Sequence, residues 1–265
     1  MYAPFKIAFK YLRHWFNASN GNGHGMHSPF VFEFITKLLK DKTQYPAYAK
    51  VEALRKQLLR DNSLLQVEDL GAGSGLSKGN LRTVSSIARN AAKPKKWGQL
   101  LYRIVKYYQP SSILELGTSL GISTAYLSSG NQHSMVTSLE GSPMIASKAK
   151  ENLEMLGVRN VNQLTGSFDD LLPGLLQEEK IWDLVFIDGN HRKEPTLRYF
   201  EWFMKSSGPG SVLIFDDIHW SAEMEEAWEQ IRLDPRVRCS LDLFFLGLVF
   251  FREEFHEKLD FSIRA

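Results

Sequence analysis

Two hydrophobic periodicities divide the chain. Up to about residue 92, apolar positions recur at helical spacing between loops; beyond it, helical stripes alternate with short, wholly apolar runs of strand length. In the first part, residues 2–16 read as an amphipathic helix whose basic face carries Lys6, Lys10 and Arg13, and the Gly-, Asn- and His-rich stretch 20–27 reads as a loop. Ser28 and Pro29 supply an N-cap and a first-turn proline ahead of an apolar helix over 30–40. Val51, Leu54, Leu58 and Leu59 share one face of a helix over 47–60.

The second part predicts a helix over 97–108 stopped by Pro110, a strand over 113–116, a helix over 122–128 and a strand over 135–139. A helix over 143–156 closed by Gly157, a strand over 161–164, an apolar strand over 182–187 and a helix over 196–204 follow. A buried strand over 212–215 and a helix capped by Ser221 and running to 231 come next, then strands over 237–244 and 248–251, close enough for an antiparallel hairpin. Such alternation implies right-handed βαβ crossovers. The expected fold is α/β and Rossmann-like, a seven-stranded, mainly parallel sheet with a C-terminal antiparallel hairpin. The expected division is a helical N-terminal extension over 1–92 and a catalytic domain over 93–265.

Bulk properties narrow the partners. The chain has 265 residues and a formal net charge of +2, too weak a basic field to lead us to expect nucleic acid. The lone cysteine, Cys239, cannot form an internal disulfide and reads as a packing residue of a reducing, cytoplasmic protein. The sequence shows no secretory signal pattern and no apolar run long enough to span a bilayer. The 2–16 helix has two readings: attachment to a membrane surface, or, favoured here, a helix covering the core or a dimer partner. A homodimer is the base-rate expectation.

Ligands of open parallel sheets bind at the carboxyl ends of the strands. Two glycine-bearing loops compete for that role, 69–75 and 115–121. A nucleotide loop needs a strand before it, a helix after it, and an acid at the end of the next strand about 20 residues on. The second loop meets all three conditions: Ile113 and Leu114 lead in, an apolar helix follows, and Glu140 closes the next strand. The first is followed by Lys93-Pro-Lys-Lys96 and reads as a turn. In the chosen loop, Gly117 and Gly121 let the backbone approach a ligand. Glu115 is placed to accept from an ammonium group and Glu140 to hold a ribose diol. Ser119 stands where a nicotinamide fingerprint has the glycine that admits a pyrophosphate; S-adenosylmethionine (SAM) has no pyrophosphate, so the loop favours SAM over NAD.

Lys96-Trp-Gly-Gln-Leu-Leu, followed by Pro110-Ser-Ser-Ile-Leu-Glu-Leu-Gly, resembles the metal-dependent O-methyltransferases related to catechol O-methyltransferase, including bacterial members acting on sugars and antibiotic precursors. The resemblance runs from about Lys93 to Phe251. It implies that 115–121 is the SAM loop, that Glu140 binds the ribose, and that Gly166-Ser-Phe-Asp-Asp-Leu-Leu-Pro173 borders the adenine through Ser167 and Phe168. Ile187-Asp-Gly-Asn-His191 and Phe215-Asp-Asp-Ile-His-Trp220 resemble the metal-binding and catalytic strand ends.

Asp188 follows one buried strand; Asp216 and Asp217 follow another. Three converging carboxylates repel unless some are protonated or a cation is bound. All-oxygen ligands suit Mg²⁺ or Mn²⁺, and in the resembling family the metal activates the acceptor oxygen. Asp188 is thus assigned to metal, cofactor and catalysis together, with Asp216 and Asp217 as further metal ligands. Relatives often carry Asn where Asp217 stands. His191, three residues past Asp188, would share a helical face with it and act as general base, with Lys193 as the second choice. His219 reads as a supporting partner or a neighbour of Trp220, and His24 and His27 as part of a lid. The resulting reading is methyl transfer from SAM to a hydroxyl oxygen of a small molecule with divalent-metal assistance. Alternatives are a metal-independent N-, C- or O-methyltransferase, an NAD(P)-dependent oxidoreductase, or a non-catalytic SAM-binding protein.

Overall fold

The computed structural model describes residues 1–18, 28–67, 81–177 and 180–265. The 20–27 loop with His24 and His27, and the 69–75 turn, lie outside the described residues. The chain forms two compact units, Met1–Asp41 with Glu179–Ala265, and Lys42–Glu178, so the stretch ahead of residue 93 is divided between them.

The first unit opens with α1 (Pro4–Asn17) and α2 (Pro29–Glu33). The Ser28 hydroxyl caps α2 by accepting from the Val31 amide, and Pro29 opens it, as the sequence predicts. The helix expected to run to residue 40 instead widens into a π-helical turn over Phe34–Leu39, which brings Phe34, Ile35 and Leu38 together on the buried side.

The second unit begins with α3 (Pro46–Leu58), whose Tyr48, Val51, Leu54 and Leu58 are buried; Leu59, expected on that face, is the exposed C-cap. Two three-residue strands that the sequence reading missed, β1 (Leu64–Gln66) and β2 (Leu81–Thr83), pair antiparallel ahead of α4 (Val84–Asn90). Helix α5 (Lys95–Tyr108) ends at Gln109 in the left-handed conformation, just before Pro110. Its Gly98 lies so close to the Tyr126 ring that a Cβ would come within 2.5 Å. The side chain missing from the sequence motif is therefore what lets α5 pack on the next helix.

The parallel layer follows: β3 (Ser112–Leu116), α6 (Ile122–Gly130), β4 (Met135–Glu140), α7 (Pro143–Met155) and β5 (Val161–Thr165), with β4 between β3 and β5. All of β3 is buried, the mark of a strand covered on both faces. Helix α8 (Phe168–Leu176) was not anticipated, because Pro173 inside it reads as a breaker.

Returning to the first unit, the chain adds β6 (Leu184–Ile187), α9 (Lys193–Met204), β7 (Val212–Asp216), α10 (Ala222–Leu233), β8 (Cys239–Asp242) and β9 (Leu246–Phe250). Strands β6 and β7 are parallel, β7 and β9 antiparallel, and β8–β9 is the expected hairpin. A further strand, β10 (Leu259–Ser262), runs parallel to β8, so the expected count of seven is exceeded. The fold is α/β and Rossmann-like, with a mainly parallel sheet and a C-terminal antiparallel hairpin. Cys239 is buried in β8, and burial pushes its thiol up to about 12, as suits a packing residue. No helix among the described residues is long and apolar enough to cross a membrane.

Helix α1 does not cover the core, one half of the favoured expectation, since it contributes no buried residue. It is held by polar and ring contacts. Lys10 pairs with Glu225 at 2.9 Å, the Tyr2 hydroxyl donates to Glu225, and Tyr11 meets the Phe244 ring edge-on.

Candidate functional site

The loop after β3 is shaped by conformation before chemistry. Gly117, Ser119 and Gly121 all have positive φ, at 104°, 48° and 82°. The amides of Gly117 and Thr118 both donate to the Leu139 carbonyl, at 2.9 and 3.1 Å, tying the loop to the end of β4. Gly121 is required by the fold as well as by any ligand: its φ disfavours a side chain, and a Cβ would sit 3.3 Å from Leu153 of α7. Buried Asn152 of α7 donates to the Leu120 carbonyl at 2.9 Å and fixes the loop from behind.

Glu140 ends β4, and its two oxygens accept separate backbone amides, Ser119 N at 2.8 Å and Ser142 N at 3.0 Å. These two bonds orient the carboxylate at the end of β4. Glu115 is fully buried. Its Oε2 accepts from the hydroxyls of Thr124 and Ser138, the latter at 2.6 Å. Since Ser138 gives its one proton to Glu115, Thr118 must donate to Ser138 across their 2.6 Å contact. Burial raises the Glu115 carboxyl above its ordinary value, opposed by the hydroxyls of Ser123, Ser138 and Thr124. Its Oε1 is buried with no hydrogen-bond partner among the described residues.

The Gly166 amide donates to the Glu140 carbonyl at 2.9 Å, bringing the start of the next segment beside Glu140. Ser167 and Phe168 therefore stand at the same end of the β3–β5 layer as the loop. The Ser167 hydroxyl serves as the N-cap of α8, accepting from the Asp170 amide at 3.2 Å. Phe168, half-buried, is the first residue of that helix.

In the first unit, Ile187 and Phe215 are in register, so Asp188, just past β6, and Asp216, the last residue of β7, lie side by side. His191 joins them: its Nε2 is 3.6 Å from Asp188 Oδ1, and one ligand atom from each of Asp188, His191 and Asp216 falls within 4.8 Å of the others. The spacing argument reached the right pair by the wrong geometry. Residues 188–191 form a loop, not a helical turn, and left-handed Asn190 (φ 52°) swings His191 back towards Asp188. The Asn190 side chain is anchored to the Tyr199 hydroxyl at 3.1 Å.

Asp217, expected as a third acidic ligand, lies outside this cluster. Asp217 lies just past β7, where its left-handed backbone (φ 53°) turns the chain, its amide donating to the Phe245 carbonyl and its own carbonyl accepting from the Trp220 amide. Ser221 caps α10 as expected. Lys193, the second choice of base, is paired with Glu226 at 2.7 Å.

His219 belongs to a different cluster from the one the sequence suggested. It bridges Glu225 at 3.1 Å and Asp242 at 2.8 Å and stacks on Phe244, with His14 of α1 3.6 Å from Asp242. Burial works against its charge, but Asp242 and Glu225 overcome this and raise its pKa above the ordinary imidazole value. Sequence reasoning missed Thr118, Thr124, Ser138 and Asn152. Nothing local marked them: Thr118 stands beside Ser119, Thr124 beside Ser123, Ser138 beside Thr137 and Asn152 beside Glu151.

Fold and loop together define a class I methyltransferase architecture. Residues 114–218 match a family model described as a methyltransferase domain. The chain is 30% identical over 163 residues to a catechol O-methyltransferase of Niastella koreensis, a match covering 59% of this chain and 70% of that one. It is 30% identical over 159 residues to another catechol O-methyltransferase, from Mycobacterium tuberculosis, covering 59% and 69%. An O-methyltransferase of Bacillus cereus, solved with SAH, shares the fold with a TM-score of 0.57 at 23% identity, over 83% of this chain and 97% of that one. The chain belongs to the class I SAM-dependent O-methyltransferases.

Proposed function

We propose that this protein methylates a hydroxyl oxygen of a small molecule, with aromatic vicinal diols the first class to test, and that Asp188 and Asp216 hold a divalent cation for the reaction. The acceptor class is supported by the two catechol O-methyltransferases among its relatives. The convergence of Asp188, His191 and Asp216 at the ends of neighbouring strands carries the metal reading. Two carboxylates suit Mg²⁺ or Mn²⁺, with waters and the acceptor completing the coordination. Such a cation would supply Lewis-acid depression of the acceptor hydroxyl's pKa. In this reading the stretch 93–265 carries the reaction.

For the cofactor, the buried Glu115 Oε1, which has no hydrogen-bond donor among the described residues, fits the ammonium group of SAM. Glu140, held by two backbone amides, fits the ribose diol, and Ser167 and Phe168 border the adenine. His191 Nε2 takes the acceptor hydroxyl's proton as the methyl leaves the sulfonium, and Asp188 beside it stabilises the imidazolium. Asp217 is left to shape the turn.

The test is turnover of SAM with a catechol-type diol before and after EDTA, with Mg²⁺ and Mn²⁺ restored separately. Activity lost to EDTA and recovered with either ion is expected. Turnover indifferent to EDTA, with Asp216→Asn as active as the parent, would reject the metal reading and leave a metal-independent O-methyltransferase.

A further inference from the structure

Helix α1 docks with the reverse of the usual polarity. Its inward side is polar and aromatic: Tyr2, Lys10, Tyr11 and His14 meet Glu225, Phe244 and Asp242. Its outward side is the apolar one. Phe5, Phe9, Leu12 and Phe16, spaced to form a single stripe, are 78%, 68%, 54% and 71% exposed. A helix whose apolar stripe belonged in the core would turn that stripe inward and its lysine outward. A contiguous row of exposed large apolar side chains marks an interaction surface.

The rims of the stripe indicate what covers it. Lys6 and Arg13, seven residues apart and both exposed, line one edge. On the other edge, Trp15 carries the Arg264 guanidinium 3.9 Å above its ring. The first acidic residue of the chain is Glu33, so no carboxylate within α1 offsets these cations. Pairing with a second copy through this stripe would set cationic rims against cationic rims. An anionic bilayer surface instead matches both features, taking phenylalanines into the acyl boundary while phosphates meet the rims. Fourteen residues make a rod of roughly 21 Å, enough to lie in the interface plane and too short to span it.

We propose that α1 is an interfacial anchor that seats this protein on membranes containing anionic lipid, through Phe5, Phe9, Leu12 and Phe16 with Lys6, Arg13 and Arg264 at the rims. The proposal is independent of the metal and of the methyl acceptor.

The experiment is co-sedimentation of the full chain with phosphatidylcholine vesicles, with and without phosphatidylglycerol. It is run at about 0.1 M and about 1 M salt, where the Debye length falls from about 10 to about 3 Å. Binding to phosphatidylglycerol vesicles that weakens in high salt, with little binding to phosphatidylcholine alone, is expected. Phe9→Glu and Phe16→Glu should each lower partitioning by about tenfold or more, as each removes a buried phenyl group. Lys6→Glu and Arg13→Glu should each lower it by about fivefold or more. SAM-induced stabilisation, measured by melting in all four variants, should stay at the parent level and so show that the fold is intact. Equal recovery in the supernatant with both vesicle types overturns the proposal. So does a dimer in light scattering that Phe9→Glu dissolves, since the stripe then binds a second copy.

Discussion

Glu115 and Glu140 in one unit and Asp188 and Asp216 in the other occupy equivalent topological places, at the carboxyl ends of parallel strands, yet they are held differently. The glutamates are fixed by their surroundings: backbone amides take both oxygens of Glu140, and hydroxyls from α6 and β4 take Glu115 Oε2. The aspartates instead stand beside a histidine brought in by a left-handed loop, with their ligand atoms gathered in a small volume. The first arrangement builds a rigid shape, suited to recognising one cofactor. The second concentrates charge, suited to a cation and a moving proton.

The largest effects should separate these roles. Asp188→Asn and Asp216→Asn should each lower kcat by about a hundredfold or more, beyond the 10–100-fold seen when only a metal's supporting residues are changed. SAM affinity by calorimetry should change little in Asp216→Asn. If SAM binding falls in step with kcat, the two regions do not divide the labour as argued. His191→Ala should follow with a loss of about a hundredfold, the lower range for a general base, and a flattened acid limb in the pH profile.

Glu115→Gln should weaken SAM binding by about tenfold or more, as expected for loss of a charge-assisted hydrogen bond. It should also raise the melting temperature of the cofactor-free protein at neutral pH. The folded Glu115 titrates above its ordinary value. A raised pKa contributes stability below the unfolded value that is lost as pH rises through the folded one. The parent should therefore lose stability across that window, and the glutamine variant should not. A lower melting temperature for Glu115→Gln would mean that the hydroxyl bonds outweigh the burial cost.

The 115–121 loop was legible because βαβ geometry leaves a local imprint: an apolar strand, glycines, a helix, and an acid at the next strand end. Its supports were not. Ser138, Thr118 and Asn152 each stand beside other polar residues with nothing local to single them out, and their partners lie 20 to 32 residues away. The acid cluster was half legible. Strand ends located Asp188 and Asp216, but adjacency in sequence suggested that Asp217 would share the site, whereas the chain turns left-handed there and Asp217 stays outside the cluster. The alternating exposure of β10, carrying Asp260 and Ser262, gives no apolar run to read, and α8 was hidden by Pro173. His219 was misplaced because its partner Asp242 arrives from a strand 23 residues on.

The smallest expected effects test whether the loop's shape, apart from its carboxylates, belongs to the rigid side of the comparison. Gly121→Ala forces a methyl group into a left-handed position, at about 1–2 kcal/mol, and sets a Cβ against Leu153. For a domain of this size that corresponds to a fall of about 2–8 °C in Tm. Ser119→Gly works the other way. It relieves a left-handed side chain but adds freedom to the unfolded chain, so stability should move by less than about 1 kcal/mol. SAM affinity should drop for Gly121→Ala, because the turn presenting the Ser119 amide to Glu140 is disturbed, and should hold for Ser119→Gly, which keeps that amide. Equal losses of affinity in both would show that the Ser119 side chain, not the backbone it shapes, is what the cofactor meets.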